Sequence, residues 1–158
     1  MINPDTLQTL EVFSDLEEED LKQVARIVIE KDVPAGQALF MEQVKGETLF
    51  IVLDGAVQVQ RKTASGEDLP LYRAEAGEFL GAFSIFDPGD RPVSAQTVEP
   101  SKVLIVRRKD LLKLAEKAPS AAFHFVLHLA QNSLAKARAL TDLQKEDLDQ
   151  AGALLKKA

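Results

Sequence analysis

Cysteine and tryptophan are absent from the 158 residues. Without cysteine there is neither a disulfide framework nor a thiolate metal site, and a reducing compartment is allowed. No apolar run approaches the ~20 residues that cross a bilayer. The opening MINPDTLQTLEVF has neither the basic start nor the apolar stretch of a secretory leader. The expected location is therefore the cytoplasm, with no membrane contact. Positive charge is also scarce: 19 Lys and Arg stand against 25 Asp and Glu, for a net charge of −6. That balance argues against a generic nucleic-acid binder, which shows a basic face. A small anionic ligand in a locally positive pocket remains compatible with it. Signatures of catalysis are missing too, with no G-x-S-x-G elbow and no P-loop lysine.

What is present is ordinary globular material, 46% hydrophobic and 28% charged, long enough for one domain with a real core. Ser14, with Glu17 three residues on, has capping-box spacing. Leu16, Leu21, Val24, Ile27 and Val28 follow at helical intervals, which predicts a helix from about Asp15 to Ile29. From Lys31 the pattern turns to short strands. These are predicted at Ala38–Met41, Thr48–Leu53, Val57–Gln60, Leu69–Arg73, Val93–Val98 and Val103–Val106, with a hairpin at Asp54-Gly55. Gly36, Gly46, Gly55, Gly66 and Gly77 fall 9 to 11 residues apart, the interval of an antiparallel jelly roll. About eight short strands fit between Lys31 and Arg107. The expected fold is mainly β with flanking helices (α+β): a β-roll over residues 1–118, including an N-terminal helix and a short helix after the roll, then a long helical segment over 119–158.

The unusual chemistry lies in Phe79 to Ala95, FLGAFSIFDPGDRPVSA. Gly77 and Gly81 frame a short apolar run, a single helical turn is expected at Phe83–Phe86, and Arg91 follows a turn at Asp87–Asp90. Glycines, helical N–H groups and a guanidinium together make an anion cradle. Isolated glycines and one arginine also suit a tight loop between strands, where Arg91 would be a solvated charge or an ion-pair partner of Asp90 or Asp87.

Together with Val12-Phe13, Gly36, the Leu49–Gly55 strand, Val57–Val59 and Gly77-Glu78-Phe79, this stretch resembles the phosphate-binding cassette of the cyclic nucleotide-binding domain. The resemblance covers roughly Phe13 to Leu114. It implies a double-stranded β-helix (jelly roll), a regulatory role in signal transduction without catalysis, and a cyclic nucleotide such as cAMP or cGMP as ligand. No other cofactor and no metal is expected. The implied site residues are Gly81, Ala82, Phe83, Ser84, Arg91, Pro92 and Val93.

Two positions depart from the family pattern. Ala82 stands where a Glu accepts the ribose 2′-hydroxyl, and Pro92 stands where a Ser or Thr completes the phosphate cradle beside the arginine; Val93 replaces an Ala. A charge-assisted hydrogen bond contributes about 1.5–3 kcal/mol, and proline removes an amide donor besides the hydroxyl. A combined loss of about 3–5 kcal/mol weakens affinity by roughly two to four orders of magnitude. Weak sensing of a cyclic nucleotide or related anion is one expectation, and a ligand-free interaction module that keeps the fold is the other.

After the roll, Arg107 to Ala115 reads as a helix stopped by Pro119. Arg107, Arg108, Lys109, Lys113 and Lys117 form a basic face that suits an acidic partner or plain solvent. Ser120 to Ala158 is rich in helix formers. Leu127, Leu134, Leu148 and Leu155 lie on a seven-residue grid beside Phe123, Ala130, Ala137 and Ala151, a stripe that fits a homodimer seam or packing on the chain's own roll. Thr141-Asp142-Leu143-Gln144 offers an alternative cap for a fresh helix. Phe123, His124, Leu127 and His128 are candidates to cover the roll's open face. His124 and His128 at i and i+4 lack an evident third metal ligand, and a histidine-lined catalytic barrel is not expected. The residues from Leu143 onward are too few for a helix-turn-helix, so DNA reading is not expected. The partner beyond a second copy is unidentified.

Overall fold

The structure, a computed structural model, describes residues 2–157; within the last helix the side chains of residues 140, 143, 144, 147–149 and 151–157 lie outside that description. The chain opens with helix α1 (Pro4–Gln8), a 3-10 turn (Glu11–Phe13) and helix α2 (Glu18–Ala25). Helix α2 is shorter than the expected helix. Val28 and Ile29 belong instead to strand β1 (Val28–Val33), paired antiparallel along its length with the last strand. Nor is Ser14 a helix cap: its hydroxyl donates to the Glu11 carbonyl, and Glu17 occupies the cap position without a side-chain bond. Helical spacing of apolar residues across Ile27–Val28 reflected burial in one core, shared by a helix and a strand.

The roll comprises ten strands among the described residues. One sheet runs β1, β10 (Ser101–Arg107), β4 (Thr48–Asp54), β7 (Phe79–Leu80). The other runs β2 (Ala38–Phe40), β9 (Ser94–Thr97), β5 (Val57–Lys62), β6 (Asp68–Ala74). A two-strand clip joins β3 (Lys45–Gly46) to β8 (Gly89–Asp90). The expected hairpin at Asp54-Gly55 is not one, because β4 and β5 lie in different sheets. Gly55, at φ +84°, turns a corner so tight that a Cβ would overlap the Ser101 hydroxyl, and that hydroxyl accepts the Ala56 N–H. A glycine after an acidic residue marks a turn in either setting; the sheet membership is decided by long-range pairing.

The first sheet separates two cores, and its alternating side chains feed both. Leu49, Ile51, Phe79, Leu104 and Val106 face the helices, while Phe50, Val52, Leu80 and Val103 face the roll interior. This double burial explains the uninterrupted apolar run in β4. After β10, helix α4 (Arg108–Lys117) and helix α5 (Pro119–Lys157) follow. Helix α5 continues through Thr141, whose hydroxyl donates to the Ala137 carbonyl, so the fresh-cap alternative does not apply. Among its described side chains the buried ones are Ala121, Ala122, Phe125 and Leu129, with Phe125 stacked on Phe13 at 5.1 Å between ring centroids. Phe123, Leu127 and Leu134 of the heptad stripe are instead exposed, so own-roll packing does not account for them. Leu148, Ala151 and Leu155 fall outside the described side chains. Among the described residues, no helix is long and apolar enough to cross a membrane.

Candidate functional site

Arg91 is the centre of the site. Its backbone is clamped by the loop before β3: the Gln43 N–H donates to the Arg91 carbonyl at 2.7 Å, and the Arg91 N–H donates to the Val44 carbonyl at 3.0 Å. Gln43 reaches this position at φ +62°, a left-handed conformation uncommon outside glycine. The side chain then runs inward beneath two glycines. A Cβ on Gly46 would collide with Arg91 Nε, and one on Gly81 would collide with Nη1. Gly81 also sits at φ +78°, so the position excludes side chains by both conformation and space.

Arg91 is 4% exposed. Nη2 donates to the Thr48 carbonyl at 2.6 Å and Nη1 more weakly to the Gly81 carbonyl at 3.4 Å. The cation lies 4.4 Å from the centroid of the Phe40 ring, a further favourable contact. Nε is buried with no hydrogen-bond partner among the described residues. Burial alone lowers the Arg91 pKa, with no carboxylate opposing it; a guanidinium nevertheless stays charged at any ordinary pH. Arg91 is thus neither the solvated charge nor the partner of Asp87 or Asp90 that the loop alternative anticipated. A buried cation without a counter-ion is costly, and an incoming anion would relieve that cost.

The other expected site residues surround it unevenly. Helix α3 spans Phe83–Phe86, as expected, with Ala82 buried in its cap position. Ser84 is buried, Phe83 is 70% exposed, Pro92 is exposed and Val93 is half-buried. The N–H groups of Ser84 and Ile85 are used by the Gly81 and Ala82 carbonyls. Arg108 Nε donates to the Ile85 carbonyl at 3.1 Å, tying α3 to the start of α4. This gives one member of the basic face a structural duty.

The residues of α5 expected to cover the roll do not do so. His124 Nδ1 lies 3.0 Å from Asp20, and His128 Nδ1 lies 3.5 Å from Asp15, both on the N-terminal segment. With Val12 and Leu127 they line a cleft of about 190 Å3 on the helical side. Among the described residues no three His, Cys, Asp or Glu side chains gather as a metal site. Among the described residues of α5, Lys136 reaches the cassette strand, 3.6 Å from Glu78 and 5.0 Å from the Phe79 ring centroid. Sequence reasoning missed Lys136, Phe40, Gln43, Gly46 and Thr48 around this site. Only Gly46 carried a signal, as one of the evenly spaced glycines.

Residues 30–118, more than half of the chain, match the family described as the cyclic nucleotide-binding domain. The chain belongs to that family. Among sequence relatives, the "Cyclic AMP receptor protein" of Thermus thermophilus is 32% identical over 98 residues, 62% of this chain and 45% of the relative. The "CRP-like cAMP-activated global transcriptional regulator" of Mycobacterium tuberculosis is 26% identical over 132 residues, 84% of this chain and 59% of the relative. The chain therefore spans about half the length of these relatives. A solved cyclic nucleotide-binding domain from Methylobacillus flagellatus superposes with a TM-score of 0.77 at 21% identity, covering 87% of this chain and 78% of that one. The catabolite activator protein of Thermus thermophilus gives 0.71 at 27% identity, covering 85% and 63%. The jelly-roll fold with flanking helices and a long C-terminal helix is the fold of this family.

Proposed function

We propose that this cyclic nucleotide-binding domain is a non-catalytic regulatory module that senses a cyclic nucleotide or a related small anion at Arg91. The occupied state passes to α5, which pairs with a second copy of the chain or with a partner protein in the cytoplasm. The observation that carries this reading is the buried, unpaired Arg91 guanidinium beneath Gly46 and Gly81. Its position in a chain related to a cyclic AMP receptor protein supports the same ligand class. Arg108 and Lys136 connect the cassette to α4 and α5 and supply the route from ligand to helix. Calorimetric titration with cyclic AMP and cyclic GMP up to millimolar concentration tests it. Saturable heat in the wild type, absent in Arg91→Met, is the expected result, and heat unchanged in that variant would move the site elsewhere.

The second reading is a ligand-free dimeric interaction module. Ala82 and Pro92 favour it, because both remove donors or acceptors that a nucleotide would use. The exposed Phe123, Leu127 and Leu134 on α5 supply its seam. Sedimentation of the ligand-free protein separates the two: a tight dimer with no heat from either nucleotide supports this alternative.

A further inference from the structure

We propose that α5 pairs antiparallel with α5 of a second copy, so that the acidic run near its far end lies on the basic face of that copy's α4. This rests on the reading in which α5 meets a second copy, and adds the orientation and the receiving surface. Residues 107–117 hold five Lys and Arg against two Asp and Glu, a net of +3. Residues 141–150 hold four Asp and Glu against one Lys, a net of −3. In α4, Leu111 and Leu114 are buried, while Lys109, Lys113 and Lys117 stand four apart on one exposed stripe. Arg107 is paired with Asp110, and Arg108 donates to the Ile85 carbonyl. The three lysines meet no carboxylate among the described residues, nor do Asp142 and Glu146, four apart and exposed on α5, meet a cation. Like charges at this spacing repel, so each run destabilises its own helix until an opposite run covers it.

The two runs of one chain cannot meet. Helix α5 is continuous from Pro119, which puts Asp142 roughly 35 Å along it, whereas the 10 residues of α4 extend only ~15 Å from the same end. A second copy can join them. Phe123, Leu127 and Leu134 are exposed on α5 and offer an apolar seam. An antiparallel pair of α5 helices centred between Leu127 and Leu134 sets Asp142 of one copy opposite Pro119 of the other. That is where α4 ends and where Lys113 and Lys117 lie. By symmetry the exchange is made twice. A parallel pair would instead bring the two acidic runs side by side, and charge at the flanks of a helix pair decides its orientation.

Sedimentation equilibrium of the full chain tests this, with two charge reversals: Lys113→Glu with Lys117→Glu on α4, and Asp142→Lys with Glu146→Lys on α5. All four positions are exposed, so neither reversal enters a core. A wild-type dimer is expected, weakened roughly tenfold or more by either reversal and by raising salt from about 50 to 500 mM. An equimolar mixture of the two variants should recover the wild-type affinity, because each then offers the other an opposite run at both contacts. A dimer indifferent to either reversal overturns the inference and leaves pairing through α5 intact. Loss in both variants without recovery in the mixture also overturns it, because the two runs then act separately. A monomer at about 100 µM removes the inference and the second-copy reading together, and leaves anion sensing at Arg91 to the calorimetric test.

Discussion

The two faces of the β1–β10–β4–β7 sheet are covered by cores of opposite character. On the helical side, Phe13, Leu49, Ile51, Leu104, Phe125 and Leu129 are all fully buried, and the Asp20 carboxylate nearby meets His124 Nδ1 at 3.0 Å. On the roll side the interior is equally apolar, but its mouth holds a buried guanidinium anchored by two backbone carbonyls and an aromatic face. The helical core buries apolar side chains, and the one unpartnered polar atom beside it among the described residues, His128 Nε2, is on an imidazole rather than a permanent cation. The other retains a charge that apolar packing would have replaced at little cost. A buried permanent charge with no counter-ion is the departure from the stable solution where function is sought.

That contrast can be broken from either side. Phe125→Ala opens the helical core against Phe13 and should cost about 3–5 kcal/mol in urea unfolding; a loss under about 1 kcal/mol would mean that α5 is not held by this packing. Gly81→Ala forces a Cβ into φ +78° and to within 2.8 Å of the Thr48 carbonyl, besides Arg91, and should cost about 1–3 kcal/mol while weakening anion binding. Arg91→Met should leave stability within about 1 kcal/mol of the wild type, or raise it, since methionine suits the apolar rim. A loss as large as that of Phe125→Ala would recast Arg91 as a keystone of the roll. Lys136→Ala removes a half-exposed pair with Glu78 and should cost no more than about 0.5 kcal/mol, diminishing with added salt. A larger, salt-insensitive loss would point to its packing on Phe79.

Much of this was legible in the sequence. Glycine spacing and short β-rich runs gave the roll, and Phe83–Phe86 emerged as the helix expected. The family likeness located Arg91 and the two positions, Ala82 and Pro92, where the cassette departs. What could not be read depended on contacts between distant segments. The corner at Gly55 needs Ser101, 46 residues later, to identify it. Strand β1 depends on β10 for its partner, and without that strand Val28 and Ile29 extend a helical pattern. Thr48 and Phe40 become Arg91's neighbours only once β2 and β4 are brought beside β8, and neither residue type announces a cation site. Lys136 lies 45 residues beyond Arg91 on a helix whose rotation about its axis is set by Phe125 and Leu129.

Beyond Ser133 no described side chain of α5 is buried, although the helix itself runs on to Lys157. From Lys136, which meets Glu78 and the Phe79 ring, to Lys157 the helix is a rod of roughly 32 Å at ~1.5 Å per residue, rooted in that contact and in the patch where Phe125 meets Phe13. A pivot of about 5° at that root would carry the far end some 3 Å sideways, by rod geometry. The domain thus has the proportions of a lever, in which a small adjustment near the fulcrum becomes a displacement of about 3 Å at the tip.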